Sequence, residues 1–173
     1  MRLSMLAVVA LSGMALGGVP ATAAPTGLSP QDSAFVTAAG YGGNFEVAGG
    51  KLAQARAASA GVKAFGARMV TDHTRAGNKL AALAGQNGAT VPDGTSPARQ
   101  NILGVWSRLD GKAFDCSYVP AAYLDHVGAI GLFEEEAAHG TNPDLVRFAK
   151  DTLPTLREHQ QMISTVLAKP GCP

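Results

Sequence analysis

Small and apolar residues recur at steps of three and four along most of the chain. From 62 to 83 the stripe reads Val62, Gly66, Met69, His73, Ala76, Leu80 and Leu83, the spacing of a helix that packs on one face. Comparable stripes are Phe35, Ala39, Gly42, Glu46, Gly49, Ala53; Val119, Tyr123, His126, Ile130, Phe133, Ala137; and Leu145, Ala149, Thr152, Leu156, His159, Ile163, Val166. In the first of these, Phe45 competes with Glu46 for the inward position, leaving two phases open. No run alternates with the period of a strand.

Capping signals bound the helices. Ser29-Pro30-Gln31-Asp32 combines a capping hydroxyl, a first-turn proline and an acid at the positive end of the helix dipole. It starts a helix over about 30–57, and after a break near Ala58-Ser59 a second covers about 60–86, ended by Gln86-Asn87-Gly88. Ser96-Pro97 opens a short helix to about Leu109, and Asp110-Gly111 turns the chain. A fourth helix is expected over about 117–139, stopping at Gly140, and Asn142-Pro143-Asp144 opens a fifth that ends near Ala168. Four long helices joined pairwise by short turns make two antiparallel hairpins, so the expectation is an all-α, antiparallel four-helix bundle with one short extra helix in the crossover.

Each long stripe carries a polar residue where core is expected: Glu46, His73, His126 and His159. Their heights can be compared from a rise of about 1.5 Å per residue. Glu46 and His73 lie roughly 18 and 22 Å from the first turn, and His126 and His159 roughly 22 and 27 Å from the last. One carboxylate and three imidazoles would then converge inside the bundle. Such a set suits one Zn, Cu or Fe ion, and the competing reading is a metal-free network of satisfied or pH-responsive histidines. Asp72, Asp125 and Glu158 each precede one of these histidines. Helical neighbours point about 100° apart, so these acids can only support a histidine on another helix or sit on the surface. His139 reads as a helix-end cation rather than a ligand, and Glu134-Glu135-Glu136 as a solvated face. Gly42, Gly43, Gly49 and Gly50 bracket Glu46, and so many helix-interior glycines call for close approach of a neighbour or for open space. Pro154 is expected to kink the last helix about one turn before His159.

The remaining sequence narrows the setting. Arg2 and the apolar run from Leu3 to Leu16 lead to Ala21 and Ala23, the pattern of a secretory signal peptide over 1–23 cut before Ala24. The run is short for a membrane span, which needs about 20 apolar residues, and no later stretch is long enough. Residues 24–173 read as one domain with its helical core at about 30–168, exported to the periplasm or secreted. The chain has 14 basic and 13 acidic residues; without Arg2 the charges balance, and no basic cluster offers a footprint for nucleic acid. Export permits a disulfide. Helix 5 returns towards the start of helix 4, which brings Cys172 near Cys116; their bridge would close a loop of about 57 residues and stabilise by roughly 2–4 kcal/mol. No nucleophile motif or phosphate loop is present, which leans against an enzyme.

FVTAAGYGGNFEVAGGKLA, VKAFGARMVTDHT and FDCSYVPAAYLDHVGAIGLFEEEAAHGTNPDLVRFAKDTLPTLREH, in that order, resemble a bacterial exported family catalogued as domain of unknown function 4142, often labelled a predicted outer-membrane protein. The resemblance spans about 33–167. It implies a ferritin-like helical bundle, matches motif histidines at His73, His126 and His159, and implies no catalytic residues. The outer-membrane label finds no support in a set of barrel strands. A di-iron site would need Glu-x-x-His on two helices, yet Val70 and Leu156 stand three residues before His73 and His159. The function expected is therefore a non-enzymatic envelope or stress-associated protein that binds a metal ion or small ligand, with a protein partner in the envelope as a further expectation. The alternatives are a metal-free interaction module and a metal-dependent oxidoreductase.

Overall fold

The computed structural model describes residues 27–168. Residues 1–23, read as a signal peptide, and Cys172, the expected partner of Cys116, lie outside them. Five helices follow one another: α1 (Pro30–Arg56), α2 (Ala60–Gln86), α3 (Pro97–Trp106), α4 (Gly111–His139) and α5 (Pro143–Leu167). Among the described residues there is no strand; Ala57 and Gly111 form an isolated bridge. None of these helices is long and apolar enough to cross a membrane.

α1 and α2 form one antiparallel hairpin and α4 and α5 the other, with α1 against α4 and α2 against α5. The crossover runs back along α1, so α4 begins beside the α1–α2 turn. Asp115 of α4 accepts from Ala58 N and Ser59 N at the start of α2. At the opposite end, Asp32 closes a capping box with Ser29 at the start of α1. Its carboxylate also accepts from Thr141 N at 2.9 Å, Thr141 Oγ1 at 2.6 Å and Asn142 N at 3.2 Å. One buried acid thus caps α1 and fastens the α4–α5 turn to it, which explains how a charge tolerates burial. These bonds outweigh the upward push of burial and hold Asp32 well below the usual carboxylate range.

Three expectations need correction. The fourth helix starts at Gly111, six residues earlier than the expected 117. The added turns carry Phe114, which is buried against Trp106 and Tyr118; tertiary packing extends the helix through residues without a strong start signal. Glu134 and Glu135 are solvated, but Glu136 is 0% exposed. It lies one turn beyond Phe133 on the same inward stripe. Burial first, and the adjacent Asp32 carboxylate second, push its pKa up to about 7. Finally, the two phases weighed for α1 are both occupied: Phe45 and Glu46 are each buried, Phe45 against Trp106 and Arg99. α5 remains helical through Pro154, as α4 does through Pro120.

Most of the glycines near Glu46 answer to packing. A Cβ on Gly50 would stand 2.6 Å from Gly66 O, and one on Gly66 2.7 Å from Ala53 Cβ, so α1 and α2 meet backbone to backbone. Gly49 admits Trp106, and Gly42 faces Arg99. Gly43 has nothing within 4 Å of such a Cβ and needs another explanation. The apolar core falls into two clusters. One surrounds Phe65, Met69, Trp106, Phe114 and Tyr118; the other surrounds Phe35, Leu80, Phe133, Phe148 and Leu156. The three inward histidines occupy the layer between them.

Candidate metal centre

His73 projects from α2, His126 from α4 and His159 from α5. Each has its stripe neighbours in both apolar clusters, so the helical period that builds the core also aims the three rings at one point. Their centroids are 5.5–5.9 Å apart. One nitrogen from each ring lies within 4.8 Å of the other two.

Hydrogen bonds assign two tautomers. His126 Nδ1 is 2.8 Å from Ala122 O. A carbonyl only accepts, so Nδ1 carries the proton and Nε2 presents a lone pair. His159 Nε2 is 3.0 Å from Asp72 Oδ2; the carboxylate again accepts, and Nδ1 is left with the lone pair. His126 Nε2, His159 Nδ1 and His73 Nε2 are all buried without a protein partner. Burial pushes the pKa of His73 down to about 3, with the other two imidazoles adding to the effect. Burial also lowers His126 and His159, against the opposing hydrogen bonds from Ala122 and Asp72. All three rings are therefore neutral near pH 7, the state that binds metal.

The acids behind the histidines differ in role. Asp72 reaches from α2 to His159 on α5 and is itself bonded by Arg68 one turn earlier. Burial raises its pKa, but Arg68 and His159 outweigh that and keep it ionised. This is the carboxylate–histidine pairing that orients metal ligands. Asp125 instead pairs with Arg99 of α3. Glu158 lies at the surface near Arg68. Glu46 is buried but stands outside the close group of three, with Oε1 3.8 Å from His126 Nδ1, on the far side of that ring from Nε2. Burial, and after it the neighbouring Asp125 carboxylate, raise its pKa well above the usual range. His139 is exposed at the end of α4. Arg68 was legible as the i−4 partner of Asp72. Arg99 was not, because only the path of the crossover carries it to Asp125.

A cavity of about 400 Å³ opens beside the histidines. His73, His126, His159 and Glu46 form its polar end, and Leu80, Val91, Phe133 and Phe148 are among the apolar walls.

Fold and site together define a class: an antiparallel helical bundle with a layer of three neutral histidines facing a cavity between the helices. The chain belongs to the family described as Domain of unknown function (DUF4142), which it matches over residues 17–166. Among solved structures it is similar to the crystal structure of a DUF305 fragment from Deinococcus radiodurans, with a TM-score of 0.71 at 15% identity over 82% of this chain and 97% of that one. At that identity the likeness speaks for the fold alone. No curated protein matches the chain.

Proposed function

We propose that this protein is an exported helical bundle that holds one transition-metal ion, Zn, Cu or Fe, through His73, His126 and His159. The observation that carries the reading is that each of the three imidazoles offers a nitrogen within 4.8 Å of the other two, and that each keeps a buried nitrogen without a protein partner. Leaving one buried polar atom unsatisfied costs about 1–3 kcal/mol; three facing one another argue for a group that satisfies all of them. A point equidistant from three atoms so spaced lies about 2.8 Å from each, so the rings need close by only about 0.7 Å to reach the usual metal–nitrogen distance. Three ligands leave a coordination position open towards the cavity. Glu46 stands beside the site with its pKa raised by burial. Export rests on the N-terminal sequence pattern. Without carboxylates among the close ligands, di-iron oxygen chemistry has no support.

The test is metal content and melting temperature of protein purified without a histidine tag. Near-stoichiometric metal is expected, with a Tm that rises on loading; His126→Ala should lose both the metal and the rise. At a metal concentration of about 100 times Kd the stabilisation is about 2.7 kcal/mol. Metal-free protein whose melting ignores added Zn, Cu or Fe would instead favour a metal-free, pH-responsive histidine layer.

A further inference from the structure

The cavity next to the three histidines is more than leftover space. Gly43, Gly77 and Gly128 line it from α1, α2 and α4, and a Cβ on any of them would meet nothing within 4 Å. Packing therefore does not require glycine at these positions, although glycine weakens a helix relative to alanine. What the three have in common is the room they leave. Gly128 is exposed while lining the cavity, so the space reaches the surface between α1 and α4, beside the Arg99–Asp125 pair. The exposed wall is mainly apolar, with Asp72, Thr152, Thr155 and the Arg99–Asp125 pair also on the lining. The inner end holds His126 and His159, each 1% exposed and each with a ring nitrogen lacking a partner, together with Glu46 Oε1. This is the usual make-up of a small-molecule site: apolar walls and a few converging polar groups.

Charge selects the head group. A divalent ion on three neutral imidazoles brings two positive charges into a buried layer. Asp72, the nearest anion bonded to a ligand, is already engaged by Arg68. A buried charge without compensation is unfavourable, so an anion is favoured at the open position. The volume bounds the body: at interior packing density about 400 Å³ accommodates up to roughly fifteen carbons, so a chain of about ten fits within it.

We propose that the cavity binds an amphipathic monocarboxylate, with its apolar body among α1, α2, α4 and α5 and its carboxylate on the open position of the ion. The proposal rests on the metal reading above. Its test uses protein loaded with Co²⁺, whose visible spectrum responds to a change of ligand, titrated with decanoate and with decan-1-ol. Cobalt per chain is measured first. Decanoate is expected to bind saturably, one per chain, and to alter the cobalt spectrum. The alcohol, and decanoate on metal-free protein, should bind about tenfold more weakly or worse. Ala129→Phe, which fills the cavity, and Gly128→Leu, which adds a side chain at its mouth where a Cβ meets nothing within 4 Å, should each weaken decanoate about tenfold and leave the cobalt content unchanged. Gly128→Leu carries the test if Ala129→Phe does not fold. Cobalt bound at one per chain with no response to decanoate would overturn this proposal and leave the metal site standing. So would decanoate binding that ignores the metal and both variants. Protein that retains no cobalt would overturn the metal reading, and this one with it.

Discussion

At the scale of single residues, the centre is decided by which ring nitrogen carries the proton. Ala122 O and the Asp72 carboxylate each accept from the outer nitrogen of a histidine and leave the inner one bare. Removing such a partner keeps all three ligands but frees a ring to turn. Asp72→Ala is therefore expected to weaken metal binding about 10–100-fold, read by competition with a chelator of known affinity. An unchanged Kd would mean that Asp72 serves only its pair with Arg68. The inward placing of His73, His126 and His159 was legible, since each sits in a stripe of helical period. The tautomers were not, because Asp72 meets His159 across 87 residues of sequence. The role of Glu46 shows the same limit. Its stripe and height suggested a ligand, whereas its Oε1 lies behind His126 and outside the close group.

At the scale of helices, close approach and anchoring distinguish residues that look alike in the sequence. α1 and α2 touch through Gly50 and Gly66, where a Cβ would overlap a backbone oxygen. Gly50→Ala should destabilise the fold by about 1–3 kcal/mol through overpacking. Gly85→Ala, with nothing near its Cβ, should be neutral or stabilise by up to about 1 kcal/mol. Urea denaturation of the two variants makes the comparison, and equal effects would refute the backbone contact. Asp32 is a second such case. Its acid at the start of α1 reads as a dipole partner, but it also holds Thr141 and Asn142. Asp32→Ala would leave those donors unpaired at a buried site, and a loss of about 2–4 kcal/mol is expected. A loss near that of an ordinary exposed cap, about 1 kcal/mol, would deny it the second role.

For the molecule as a whole, two buried sets of groups make stability depend on pH with opposite signs. Glu136 has its pKa raised from 4.5 to about 7, so the folded state binds the extra proton between those values. Its contribution is full below 4.5 and is lost as pH rises through 7. Glu136→Gln should therefore gain on the parent protein across that window, by at most about 3 kcal/mol, and the difference should level off above it. A difference that does not change with pH would show that Glu136 is ionised throughout. In metal-free protein, His73 works the other way, with its pKa lowered from 6.5 to about 3. Its contribution is full above 6.5 and is lost as pH falls towards 3. Chemical denaturation at a series of pH values, with chelator present, reads both limbs.

Element order, the two hairpins and the inward position of three histidines follow from the sequence alone. Caps, prolines and a 3.6-residue period are local properties, and each is readable within one or two turns of helix. Tertiary structure alone decided the start of α4, the burial of Glu136, the reach of Asp32 and Asp115 to other elements, and the Arg99–Asp125 pair at the cavity mouth. It also decided that Glu46 stands behind His126. These depend on which helix faces which and at what rotation. Packing between distant segments settles that, and a local pattern carries no record of it.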